Sequence, residues 1–197
     1  MKKITLLFLI FCLGCEQSVT TDSTFGIVIH GGAGTILRAN MTLETEAAYR
    51  KVLEEAIQVG HLILKKGGSS QEAVEKTIHV MEDSPLFNAG KGAVLNANET
   101  IELDASFMDG AQLDARAISG VKTIKNPISA AIMVMKNSPH VMLSGAGADA
   151  FAALKGLEIV EPEYFFTERR INSLKRVKES ELKENKTSSL ETSFIRQ

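Results

Sequence analysis

Residues Ser84 to Leu95 read SPLFNAGKGAVL, and this stretch marks where the chain changes from one kind of regular structure to another. Pro85 closes whatever helix precedes it, because a proline lacks the N–H that a helix needs. Asn88, Gly90 and Gly92 then supply the residue types that tight, irregular backbone favours. Beyond them the residues that follow have the period of strands. A turn with helical pattern before it and strand pattern after it predicts an α+β domain.

Upstream, the stripe Ala48, Val52, Leu53, Ala56, Ile57, Gly60, Ile63 and Leu64 has helical spacing. Asn40 or Thr42 can cap it, Glu44 and Glu46 fall in its first turn, and Lys65 to Gly68 close it. Ser69 and Glu72 have capping-box spacing, so Ala73, Val74, Thr77, Ile78 and Met81 predict a second helix running to Pro85. Before both, FGIVIH from Phe25 to His30 predicts a short buried strand entering a glycine turn at Gly31.

Downstream, Thr100 to Met108 predicts a strand that Gly110 turns into a partner, Ala115 to Val121. Asn126-Pro127 opens a helix through Met135, with the proline at a position where a missing N–H is harmless. His140 to Gly145 predicts a further short strand, and Ala146 to Lys155 a helix ended by Gly156. From Glu168 to Gln197 the residues are polar and carry both charge signs, and they predict a linker or tail. The domain therefore spans 25–167, with 168–197 outside it. No internal repeats are present.

Composition narrows the function. The chain has 197 residues with a formal net charge of −2, no tryptophan and two tyrosines. That balance gives neither a polybasic footprint nor aromatic platforms, which argues against a nucleic-acid partner. Lys2 and Lys3 precede an apolar run from Ile4 to Leu13, too short to span a bilayer but suited to a secretory signal. Leu13-Gly14-Cys15 resembles the end of a bacterial lipobox, with Cys12 where a leucine is more usual. The expectation is a signal peptide over 1–14, lipidation at Cys15, a tether over 15–24, and a lipid-anchored or periplasmic address in the cell envelope. Plain secretion is the alternative. Both cysteines lie in this segment, so the domain beyond it can form no internal disulfide.

Two glycine-rich stretches fail as nucleotide sites. Gly32 and Gly34 are followed by Thr35-Ile36-Leu37 without the third glycine of a dinucleotide fingerprint. Gly90-Lys91 is followed by Gly92 where a P-loop needs serine or threonine. No HxxxH or CxxC pair suggests zinc. Asp104, Asp109 and Asp114 are spaced by five, which puts neighbours on opposite strand faces, so convergence on one ion is not implied, and Asp104 and Asp109 read as strand-end and turn residues. A glycosidase pair is the minor alternative. His30 reads as a positional residue and not as a base, since no carboxylate stands at a recognisable spacing.

Taken in order, HGGAG (His30 to Gly34), PLFNAGKGAVL, ELDASFMDG (Glu102 to Gly110) and NPISAAIMVMKNSPHVMLSGAGADAF (Asn126 to Phe151) resemble the plant-type asparaginase and isoaspartyl peptidase family. The resemblance runs from about Phe25 to Lys178. It implies the alpha-subunit half of a four-layer αββα sandwich of the N-terminal nucleophile hydrolases, whose precursors cleave before a threonine to give alpha and beta subunits. It places Gly31, Gly32 and Asn88 near the nucleophile, although Asn88 alone could equally be a turn residue. It also implies a structural sodium ion held by the backbone carbonyls of Met81, Glu82, Ser84, Phe87, Ala89 and Lys91, the alternative being a loop held by its own hydrogen bonds.

By the same resemblance the nucleophile is the threonine of a Gly-Thr-Val-Gly context that these residues do not contain. Thr187 and Thr192 read as linker residues. No catalytic residue is therefore expected in this chain, which should be inactive alone. It should need a beta subunit with an N-terminal threonine, in an (αβ)2 assembly that hydrolyses β-aspartyl dipeptides and asparagine. No cofactor is expected beyond the ion. Two other readings stay open: an inactive remnant or binding protein, and a related glycosylasparaginase.

Overall fold

A computed structural model of the chain describes residues 25–32 and 41–194, with side chains as far as Lys183. The leader-like segment, Cys15 and the tether lie outside these residues, as do Ala33 and Gly34 of the glycine turn. Among the described residues no helix is long and apolar enough to cross a membrane.

Two long helices open the described domain. Helix α1 (Leu43–Lys65) is capped by Thr42, whose hydroxyl accepts the Thr45 N–H at 3.1 Å. Helix α2 (Ser70–Glu82) is capped by Ser69, whose hydroxyl accepts the Glu72 N–H at 3.1 Å. They pack through small residues: Ala56 and Gly60 of α1 and Ala73 and Thr77 of α2 are all buried. A Cβ at Gly60 would overlap both Thr77 Oγ1 and Ile27 Cδ1, so the close approach depends on the glycine.

Strand β1 (Leu103–Asp109) pairs antiparallel with β2 (Asp114–Val121), which pairs in parallel with β3 (Met142–Ser144). The hairpin has the predicted place and sense. Its register slips between Leu103↔Val121 and Ala105↔Ile118, leaving Asp104 opposite Ser119 and Gly120. Asp104 Oδ1 accepts the Ser119 hydroxyl at 2.6 Å and the Gly120 N–H at 2.8 Å, and Gly120 has φ +64°. The aspartate thus fastens a β-bulge, whose backbone conformation suits glycine. Asp109 Oδ1 accepts the Ala111 N–H at 2.8 Å in the turn, and Asp114 pairs with Arg116. Each carboxylate has its own local task, as the spacing indicated.

Helix α3 (Pro127–Asn137) lies over the hairpin, and α4 (Gly145–Leu154) follows β3. The core sits between them. Ile118, Val121, Ile124, Val134 and Phe165 are almost wholly enclosed, each contributing roughly 1.5–3 kcal/mol by leaving water. The architecture is α+β, as expected.

Two expectations need correction. FGIVIH forms no ladder with any described residue, and Val28 is 93% exposed. An apolar run becomes a strand only when a neighbouring strand offers it hydrogen bonds. The polar run from Glu168 is also not an irregular tail: Glu168–Phe194 is helix α5, and its first turns dock on the domain. Thr167 caps it, with its side chain accepting the Arg170 N–H at 3.3 Å. The predominance of charge had concealed the apolar spacing of Ile171, Leu174 and Val177. Thr187 and Thr192 both fall within this helix.

Candidate active-site cleft

A cleft of about 890 Å3 opens between His30–Gly32, the loop Leu86–Ala89 and the start of α5. Its size is that of a small-molecule site. Gly31, Gly32 and Asn88, far apart in sequence, all line it, together with Met81, Phe87 and Ala89.

The glycine turn is held from two sides. His30 Nδ1 accepts the Gly32 N–H at 3.3 Å, and Gly32 has φ +107°. Gly31 sits against Leu53 and Phe87, close enough that a Cβ would lie 3.0 Å from Leu53 Cδ2. His30 therefore shapes the turn, consistent with a positional residue.

The Asn88 loop is fixed by its neighbours. Phe87 is buried and meets Tyr49 edge-on, with ring centroids 5.5 Å apart. The Tyr49 hydroxyl donates to the Leu86 carbonyl at 2.8 Å, and Asn88 Oδ1 accepts the Val94 N–H at 2.9 Å. That bond leaves the Asn88 amide nitrogen without a partner among the described residues, at an exposed position in the cleft. Gly90 to Gly92 make a single 3-10 turn, and Gly90 has φ +48°. A Cβ at Gly90 would overlap the Glu82 carbonyl, and one at Gly92 the Phe87 carbonyl. The loop thus curls tightly upon carbonyl oxygens of the expected ion-binding set. Of the remaining members, Ser84 is buried, and Lys91 Nζ lies 5.3 Å from the centroid of the Tyr164 ring.

The Glu82 side chain has a separate task. It is buried, its Oε1 accepts the Ile128 N–H at 3.0 Å, and its Oε2 has no hydrogen-bond partner among the described residues. Burial pushes its carboxyl up to about 8, against the opposing pull of the Ile128 hydrogen bond.

Three arginines were not foreseen. Arg169, Arg170 and Arg176 of α5 also line the cleft. Arg169 Nη1 donates to the Tyr49 hydroxyl at 2.9 Å, and Arg170 Nε donates to the Gly92 carbonyl at 2.7 Å. Burial and the neighbouring Arg169 charge lower the Arg170 pKa. The apolar spacing of Ile171, Leu174 and Val177 after Thr167 was the available signal that these residues belong to a docked helix.

One hydroxyl–imidazole–carboxylate group lies outside the cleft. The Ser129 hydroxyl donates to Glu75 Oε1 at 2.6 Å and accepts from His79 Nε2 at 2.7 Å. Burial first, then Lys76, lowers the His79 pKa. In a nucleophilic relay the imidazole stands between serine and acid. Here serine stands between the other two, so the group ties α2 to α3. Of the hydroxyls that line the cleft, Thr45 meets the Thr42 hydroxyl, Tyr49 lies between the Leu86 carbonyl and Arg169, and none, Ser173 included, has an imidazole, amine or carboxylate partner among the described residues.

The geometry agrees with what the chain is similar to. A family model described as asparaginase matches residues 23–195. The chain is 47% identical over 148 residues to an isoaspartyl peptidase of Escherichia coli (strain K12), covering 75% of this chain and 46% of the relative. It is 45% identical over 161 residues to a plant-type L-asparaginase of Pyrococcus horikoshii, covering 80% and 49%. A mouse isoaspartyl peptidase/L-asparaginase is 42% identical over 157 residues, covering 80% and 47%. The chain spans about half the length of these relatives. With 173 of its residues under one family model and its glycine turn and asparagine loop on a single cleft, the chain belongs to the asparaginase family.

Proposed function

We propose that this chain is the alpha-subunit portion of an isoaspartyl peptidase/L-asparaginase acting on β-aspartyl dipeptides and asparagine. The observation that carries the reading is the cleft itself: glycine backbone and an asparagine amide line it, and among the described residues none of its three hydroxyls has a base. The nucleophile then comes from a complementary polypeptide, the beta subunit, as an N-terminal threonine whose own amine accepts the hydroxyl proton. Its oxygen attacks the side-chain amide carbonyl, the amine or ammonia leaves with a proton, and water hydrolyses the acyl-enzyme to aspartate. Gly31 and Gly32 allow close backbone approach to the reacting carbonyl, and the Asn88 amide nitrogen can donate to it.

The curled loop also fits a hard cation with oxygen ligands, because the two glycine cradles bring backbone carbonyls inward. Met81, Glu82, Ser84, Phe87, Ala89 and Lys91 would hold sodium through their carbonyl oxygens. The ion would stiffen the loop bearing Asn88 and take no part in bond making. An (αβ)2 assembly and a cell-envelope address through Cys15 complete the proposal.

Co-expression with the complementary threonine-bearing segment tests it. Hydrolysis of a β-aspartyl dipeptide should appear with both parts, vanish when the threonine is replaced by alanine, and be absent from the 197 residues alone. Hydrolysis by this chain alone, or none by the pair, overturns the reading. Mass spectrometry should find a diacylglyceryl group on Cys15, and an unmodified thiol would remove the anchor.

A further inference from the structure

A side chain that donates to a reacting carbonyl must be held within about 0.5 Å of its working place. Asn88 is exposed in the cleft and does not hold itself there. Its Oδ1 accepts the Val94 N–H at 2.9 Å, a bond within its own loop. That bond orders the side chain against the loop but does not fix the loop against the domain.

The outside hold comes from α1 and α5. Tyr49 of α1 donates its hydroxyl to the Leu86 carbonyl at 2.8 Å, and its ring meets the buried Phe87 edge-on with centroids 5.5 Å apart. One side chain thus grips both residues that precede Asn88. From α5, Arg169 Nη2 reaches the same Leu86 carbonyl at 3.4 Å, beyond the usual length of such a bond. Its Nη1 donates to the Tyr49 oxygen at 2.9 Å. A phenol has one hydrogen, so with a donor on the other side of its oxygen that hydrogen is left to point at Leu86. The Tyr49–Leu86 bond is half-buried, where water competes less for the carbonyl.

We propose that Tyr49 is a positioning residue for the Asn88 amide: its hydroxyl, acting through the Leu86 carbonyl, sets where that amide sits in the cleft. The inference rests on the proposed function, in which the Asn88 amide donates to the reacting carbonyl, and adds a residue that acts through Asn88.

Tyr49→Phe tests it, because the variant keeps the ring against Phe87 and loses only the hydroxyl. In the full 197-residue chain, in a mild nonionic detergent, amide exchange over residues 86–95 should accelerate about three- to tenfold, the worth of one hydrogen bond. Exchange over α3, residues 127–137, should not change. In the chain co-expressed with the threonine-bearing segment, Tyr49→Phe should lower kcat on a β-aspartyl dipeptide about tenfold and leave KM within about twofold. Asn88→Ala should lower kcat about a hundredfold, the usual loss for one donor to a developing oxyanion. Adding Tyr49→Phe to Asn88→Ala should then change nothing further, since the amide it positions is already gone. A tyrosine with only a structural role would lower kcat by the same factor in both backgrounds. Exchange that is unchanged or equally fast in α3, or additive losses in the cycle, overturns the proposal. An inactive wild-type pair overturns the proposed function instead, and the exchange comparison still decides whether Tyr49 holds the loop.

Discussion

Glu82 Oε1 accepts the backbone N–H of Ile128 at 3.0 Å, so a side chain at the end of α2 satisfies the start of α3, 46 residues away. Asn126, the residue at the usual capping position, makes no such bond. The N–H groups of a helix's first turn have no partner inside the helix, and a buried one left alone costs about 1–3 kcal/mol. The cap is therefore tertiary: it forms only when the two halves of the domain are already together.

Its carboxyl sets a pH dependence. The folded value of about 8 lies above the ordinary 4.5, so the folded protein binds more protons than the unfolded one between those values. Stability should be greatest near and below pH 4.5 as far as this group is concerned, fall as pH rises, and level off above about 8. The span is on the order of 5 kcal/mol at most. Denaturant titrations from pH 5 to 9 should show the decline, and Glu82→Gln, which retains an acceptor for Ile128, should flatten it. The same slope in the variant would assign the effect elsewhere.

Gly90→Ala forces a side chain into a left-handed backbone conformation and onto the Glu82 carbonyl. A loss of about 1–3 kcal/mol is expected. If the loop holds sodium, the wild-type protein melts higher in sodium chloride than in tetramethylammonium chloride of equal strength. Gly90→Ala should erase that difference. No ion dependence in the wild type would argue for a loop held by its own hydrogen bonds.

Arg170→Ala removes the bond to the Gly92 carbonyl and should cost about 1–3 kcal/mol. Because that bond joins α5 to the loop, amide exchange over residues 168–178 should accelerate more than exchange in α3. Uniform acceleration throughout the domain would mean that α5 is not separately anchored.

Two glycines should respond oppositely to alanine. Replacing a helical glycine gains up to about 1 kcal/mol, and Gly147 of α4 has open space around its Cβ direction. Gly147→Ala should therefore stabilise. At Gly60 the added methyl overlaps Thr77 and Ile27, and overpacking of about 1–3 kcal/mol exceeds the helical gain. Urea unfolding of the pair compares the two effects directly.

The elements legible in the sequence were those whose signals are local. Thr42 and Ser69 cap where capping spacing put them, and the β1–β2 hairpin closes around Gly110 as its apolar pattern suggested. FGIVIH misled because strand formation depends on a partner that its own residues cannot reveal. The chain from Glu168 misled because abundant charge hid a short apolar stripe. The glycine turn and Asn88 were legible through their motifs. Their meeting with Arg169, Arg170 and Arg176 was not, since that depends on how α5 crosses the domain. Glu82 likewise looked like an ordinary carboxylate at a helix end, until the fold enclosed it.

The unladdered segment from Phe25 to His30 carries a consequence for motion. Among the described residues it is pinned by side-chain contacts: Phe25 on the His61 ring at 5.3 Å, Ile27 in the notch at Gly60, and Gly31 beyond it against Leu53. Such pegs can release one at a time, whereas a ladder opens cooperatively. The approach to the glycine turn therefore rests, among the described residues, on separate pegs, each of which a single substitution can remove.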